Sequence, residues 1–140
     1  MMDGMKVKLD ERAFMPERAY AKDAGLDLKS PMTLEVPPGG AVSINTGVHI
    51  ELPEHTAGLL VSKSGLNTKY DITTTGLIDE GYSGEICVRV RNHGKVRYVI
   101  HRGDKISQLV IIPVVHVNCY ESKEISSGER GKNGFGSSGR

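Results

Sequence analysis

An all-β sandwich or jelly-roll-like barrel, followed by a flexible glycine-rich C-terminal arm, is the architecture this sequence predicts. Three observations lead there. Short runs of alternating apolar and polar residues recur at about 8–12-residue spacing, the interval typical of strands in sandwiches and barrels. Clusters of Pro, Gly, Asn and Asp separate them. Little of the chain carries the 3.6-residue apolar period of a helix. On this reading residues 1–122 form the β domain and residues 123–140 a mobile arm.

Composition narrows the function classes. A chain of 140 residues is the length of one domain and buries a real core. Its 38% hydrophobic and 25% charged residues are ordinary for a soluble globular protein. A net charge of +1 gives no electrostatic support to extended nucleic-acid binding. Cys87 and Cys119 lack CxxC partners, so neither disulfide nor metal is implied. No apolar run approaches the roughly 20 residues of a membrane helix, and no basic-then-apolar leader opens the chain. A cytoplasmic protein is expected.

Met5-Lys6-Val7-Lys8-Leu9 alternates as a half-buried strand does. Residues 12–22 contain Met15-Pro16 and no apolar stripe, and read as a covering loop. In Ala24-Gly25-Leu26-Asp27-Leu28 the alternation sets Asp27 on the face opposite Leu26 and Leu28. Taken alone, Asp27 reads as an exposed acid on a sheet edge. Pro37-Pro38-Gly39-Gly40 is a turn, followed by two alternating runs, Val42 and Ile44, then Val48, Ile50 and Leu52. Gly58-Leu59-Leu60-Val61 is a continuous apolar run that suits a buried strand. In Ser62-Lys63-Ser64-Gly65-Leu66 a serine suits the cap of a short helical turn. The same hydroxyls, ammonium and backbone amides suit a phosphate.

The rest of the chain is arranged around residues 76–86. Leu77-Ile78 leads into Asp79, then into Tyr82 between Gly81 and Gly84. This is the grammar of a hairpin that holds one carboxylate and one aromatic ring at a concave tip. A plain surface turn is the competing reading. Ile86, Val88 and Val90 then alternate with Glu85, Cys87, Arg89 and Arg91, and Val96, Tyr98 and Ile100 repeat the pattern. Gln108 interrupts the apolar run from Ile106 to Ile112, and a buried amide there needs partners. Residues 114–119 read as a last strand. Arg102-Gly103-Asp104 matches an adhesion tripeptide, a reading that lacks a secretion signal. The five histidines show no metal-ligand spacing.

Residues 128–140 hold five glycines, three cations and Phe135, with no apolar period. Such a segment cannot join a core and should be mobile when nothing is bound. It is no Walker loop, because Gly131-Lys132 is followed by Asn133. Its glycine N–H groups beside Arg130, Ser137 and Ser138 suit a polyphosphate, and Phe135 suits stacking on a base.

Five segments taken in order resemble the homotrimeric dUTP pyrophosphatases: residues 24–28, 62–66, 76–86, 102–109 and 130–139. Each is weak alone, and all five together are a strong signal. The resemblance implies hydrolysis of dUTP to dUMP and pyrophosphate with Mg²⁺ on the triphosphate, in sites built from three chains. By the same analogy Asp79 deprotonates the attacking water, and Tyr82 lies under the deoxyribose. Main-chain groups from Thr73 through Gly76 to Ile78 read uracil. Ser64 and Gln108 take the α- and β-phosphates, Lys63 and Gly65 bind substrate beside them, and Asp27 holds a water on Mg²⁺. Arg130, Ser137 and Ser138 take the γ-phosphate, Gly136 binds substrate between them, and Phe135 caps the base. The family commonly has Arg where Lys63 stands, and Lys is a point charge without a bidentate fork. Two alternatives remain: a dCTP deaminase-like enzyme of the same fold, against which Asp79 and the tail argue, and a dUTP-responsive module that binds a regulatory protein partner.

Overall fold

The computed structural model describes residues 4–139. Ten strands and one short helix run in the order β1 (Lys6–Leu9), β2 (Gly25–Lys29), β3 (Leu34–Val36), β4 (Ala41–Asn45), β5 (Val48–Glu51), β6 (Thr56–Val61), α1 (Ser64–Tyr70), β7 (Ile72–Ile78), β8 (Cys87–Asn92), β9 (Tyr98–Ile100) and β10 (Lys105–Pro113). Six of them form one antiparallel sheet in the order β2-β10-β6-β7-β8-β4, and two ribbons, β1-β5 and β3-β9, flank it. The predicted all-β jelly-roll-like class holds. Alternation is the local cause. In β8, Val88 and Val90 are buried while Cys87, Arg89 and Arg91 face out. The inward faces of all these strands meet in one core around Leu28, Ile44, Ile72, Ile86, Ile100 and Leu109.

One buried polar residue ties a ribbon to the main sheet. The Asn92 amide donates to the carbonyls of Val36 and Val96, at 3.1 and 2.8 Å, and accepts from the Gly94 N–H at 2.9 Å. A buried amide satisfied on both sides fixes register, because slipping the strand would orphan it.

Four expectations are corrected. Asp27 is not an exposed edge acid: β2 is an edge strand, but Asp27 is buried, covered by the loop at Glu17 and paired with lysines. The helical turn at residues 62–66 grows into α1, whose N-cap is Lys63 and makes no side-chain cap. Val96 is 75% exposed, because the chain turns through residues 93–97 and β9 begins only at Tyr98. Residues 114–119 form no strand, and Val115 and Val117 lie exposed. The ladder of β10 ends at Pro113, opposite Thr56, and beyond it the described chain offers these residues no strand to pair with. Strand β3 lies in a stretch whose alternation is too short to read from sequence.

Candidate active site

Gly76, Ile78, Asp79 and Tyr82 come together at the end of β7, around a cavity of about 240 Å³ completed by Leu60, Glu85 and Cys87. Backbone geometry makes the cavity. Gly76 sits opposite Leu60 in the β6-β7 ladder, and a Cβ there would stand 2.9 Å from a Leu60 methyl. After Ile78 the chain leaves the sheet and turns at Gly81, whose φ of +89° is strained for any other residue. Tyr82 then folds back along the loop, its hydroxyl donating to the Glu85 carbonyl at 2.9 Å. Its ring lies where a Cβ on Gly84 would be, 2.4 Å from that hydroxyl. The glycines around Tyr82 are therefore required by the ring's position. Asp79 is exposed, and among the described residues its carboxylate accepts no hydrogen bond. It is free to act on something outside the chain.

A second cluster forms where β2, β10 and the start of α1 meet. Asp27 and Gln108 face each other in the β2-β10 register. The Asp27 carboxylate, 4% exposed, takes Lys63 Nζ at 2.5 Å on one oxygen and Lys105 Nζ at 3.0 Å on the other. Burial pushes that carboxyl up, but the hydrogen bonds and charges of Lys63 and Lys105 together outweigh it and hold it below the usual carboxylate range. Gln108 lies flat against Gly25, where a Cβ would stand 2.6 Å from its amide oxygen, and donates to the Ser62 carbonyl at 3.3 Å. Ser64 and Gly65 open α1 beside Lys63, and no side chain caps the N–H groups there. The Ser62 hydroxyl bridges the N–H and C=O of Thr74, and Thr74 bonds Ser107 at 2.7 Å. The cluster thus rests on a satisfied polar thread through β6, β7 and β10.

Thr73 stands apart from the cavity, three residues back along β7, with its hydroxyl on His93 at 2.7 Å. Arg130 folds onto its own segment, donating to the carbonyls of Asn133 and Gly134. Phe135, Gly136, Ser137 and Ser138 are exposed, and among the described residues every hydrogen bond made by residues 123–139 stays within residues 122–139. Neither Lys63, Ser64, Gln108 nor the tail lines the Asp79 cavity. The residues expected to bind substrate thus lie in three separate places on the chain. Lys105 has no role on sequence reasoning, since only the strand register brings it across to Asp27.

For a metal, the described residues hold no group of three or more His, Cys, Asp or Glu able to cage an ion. Asp27 is a single carboxylate already facing two ammonium groups. With both oxygens so taken it offers an ion no open ligand position, and a hydrated Mg²⁺ would meet it only through water, the mode in which this ion keeps most of its shell.

Comparison with known proteins agrees with this geometry. The sequence model of the dUTPase family matches residues 11–139. The deoxyuridine 5'-triphosphate nucleotidohydrolase of Crocosphaera subtropica is 44% identical over 136 residues, 95% of this chain and 96% of its own. That of Clostridioides difficile is 43% identical, with 99% of each covered. Among solved structures, a mutant dUTPase of Staphylococcus phage 80α superposes with a TM-score of 0.91 at 32% identity, covering 98% of this chain and 99% of the other. A phage φ11 dUTPase mutant, described with a structural Mg(II) ion, superposes with a TM-score of 0.83 at 31% identity, over 89% of this chain and all of its own. The glycine-built cavity with its free carboxylate, the lysine-clamped acid and the match along nearly the whole length agree: this chain belongs to the dUTPase family.

Proposed function

We propose that the protein hydrolyses dUTP to dUMP and pyrophosphate by attack of water on the α-phosphorus. The observation that carries this reading is the unpaired Asp79 carboxylate at the mouth of the Gly76–Tyr82 cavity. Water is a poor nucleophile until a positioned base accepts its proton, and Asp79 has the free lone pairs to do so. The main-chain groups of Gly76 and Ile78 that line the cavity support pairing with a uracil edge. The Tyr82 ring, packed over Gly84, supports exclusion of a ribose 2′-hydroxyl by simple contact.

Lys63, Lys105, Gln108 and the start of α1 supply donors for the α- and β-phosphates. Asp27 would touch a hydrated Mg²⁺ that neutralises and orients the triphosphate when bound. Because these groups do not line the Asp79 cavity, each site is completed by neighbouring copies in a homotrimer. The exposed residues 115–120, to which the described chain gives no backbone partner, support that assembly. The tail, residues 123–139, closes as a mobile arm in which Arg130, Gly136, Ser137 and Ser138 meet the γ-phosphate and Phe135 caps the base. No helix among the described residues is long and apolar enough to cross a membrane, and we place the activity in the cytoplasm.

The alternative of dCTP deamination is not favoured by relatives named as dUTP nucleotidohydrolases. A regulatory partner is a second reading. The phage 80α dUTPase is described as controlling transfer of virulence genes by a G protein-like mechanism, and a tail that orders on nucleotide binding suits such a switch. Pyrophosphate release from a panel of nucleoside triphosphates with Mg²⁺ tests the main reading. Selective release from dUTP is expected; ammonia release from dCTP would overturn it.

A further inference from the structure

His49 sits on β5, in register with Lys8 of β1, and its ring spans two loops. Nδ1 lies 2.8 Å from the carbonyl oxygen of Ser83, the residue after Tyr82. Nε2 lies 2.9 Å from a carboxylate oxygen of Asp10, just past the end of β1. Both oxygens are acceptors with no proton to give at neutral pH. A neutral imidazole has one N–H and would set a bare lone pair against the other oxygen; only the imidazolium donates to both.

The ends of the cavity loop are held by other means. Ile86 N–H donates to the Val48 carbonyl at 2.8 Å, Gly47 N–H to the Glu85 carboxylate at 3.0 Å, and His55 N–H to the Glu80 carboxylate at 2.9 Å. Between those anchors, residues 81–84 make two bonds within the loop, Tyr82 N–H to the Asp79 carbonyl and Tyr82 hydroxyl to the Glu85 carbonyl. Among the described residues, the His49 ring is the hydrogen-bonding group that holds this stretch from outside the loop.

We propose that His49, as the imidazolium, is a positioning residue that fixes residues 81–84, and with them Tyr82, for the reaction at Asp79. The proposal rests on reading Asp79 and Tyr82 as the reacting site. Asp10 attracts the ring from the β1 side, and Lys8 repels it across the ladder. Lys6 and Glu51 lie in the same groove, paired at 3.2 Å, and Glu85 faces from the loop. The Ser83 carbonyl first, and Asp10 after it, raise the His49 value above its ordinary 6.5, against the opposing effects of burial and Lys8. A raised value means that the bridge is complete below 6.5 and is lost as pH rises through the higher folded-state value.

The test uses the full chain and two readouts across about pH 5.5 to 9, the range in which a histidine titrates. One is hydrogen–deuterium exchange of residues 81–86, corrected for intrinsic rates; the other is kcat for dUTP. Wild type should lose protection severalfold in one titration step. His49→Leu should be poorly protected throughout, with kcat down roughly tenfold, since small misplacements of positioning groups are costly. His49→Asn offers an amide N–H near the place of Nδ1–H and does not titrate, so its profile should be flat and its rate above that of His49→Leu. Asp10→Asn should move the wild-type step to lower pH. A flat exchange profile in wild type, or a His49→Leu profile superimposing on wild type, overturns the proposal. If wild type does not hydrolyse dUTP, the reading of Asp79 fails, while the exchange data still decide the bridge.

Discussion

At the residue scale, the sharpest consequences come from Asp79, Tyr82 and Gly84. Asp79→Asn keeps the shape of the side chain but cannot accept a proton. Loss of general-base help should cost roughly 10²–10⁴ in rate, read by single-turnover hydrolysis, with dUTP affinity near normal. Gly84→Ala puts a methyl 2.4 Å from the Tyr82 hydroxyl. The tyrosine lies at the exposed rim, so it should swing aside and leave the fold intact. The variant should therefore melt near wild type yet resemble Tyr82→Ala, both narrowing the kcat/KM gap between dUTP and UTP. A preserved ratio in both would return Tyr82 to mere packing.

At the element scale, β2, β10 and α1 are joined through one acid. Asp27 is buried, but Lys63 and Lys105 are partly exposed and can relax into water, so the net effect is smaller than for a fully buried pair. Asp27→Asn should destabilise the fold by about 1–2 kcal/mol at neutral pH by denaturant titration. The Asp27 value is lowered from 3.8, so its contribution is present above that value and fades as pH falls through the lower folded-state value. The gap between the variant and wild type should close in acid; a gap constant with pH would contradict the ion-pair account. The tail behaves oppositely. Residues 128–139 are exposed, Phe135 included, so a chain ending at Ser127 loses almost no buried area. Its melting temperature should stay near wild type while dUTP turnover collapses, because charge-assisted contacts and exclusion of water are lost. A large drop in melting temperature would make the tail structural.

At the scale of the whole molecule, the separation of Asp79 from the lysine cluster and the tail is the feature that matters. On the proposed reading of the site, its parts come together only when copies assemble. The exposed apolar residues Val115, Val117 and Tyr120 lie in an extended stretch that pairs with nothing in its own described chain. Sedimentation equilibrium should show a trimer at micromolar concentration. Mixing an Asp79→Asn chain with a chain truncated at Ser127, each nearly inactive alone, should restore part of the activity if sites are shared. A monomer, or mixtures as dead as their parents, would contradict the shared site.

Strand content and the hairpin were legible in the sequence for a local reason. Period-2 alternation in residues 86–91 and the glycines flanking Tyr82 follow from rules that act within a few residues. The five ordered segments carried the family for the same reason, since each is contiguous. What the sequence could not express is pairing across the sheet. Asp27 reads as an edge acid until the antiparallel register sets it beside Gln108 and brings Lys105 and Lys63 to its two oxygens. His49 reads as an outward strand residue until the loop after β7 lays the Ser83 carbonyl on its ring. Residues 114–119 alternate like a strand, yet a strand exists only where another backbone continues its hydrogen bonds, and among the described residues that pairing stops at the Val114 N–H, which donates to the His55 carbonyl at 2.9 Å. Local pattern determined which segments extend and which turn; the tertiary structure decided which charges meet, because those contacts join residues dozens of positions apart.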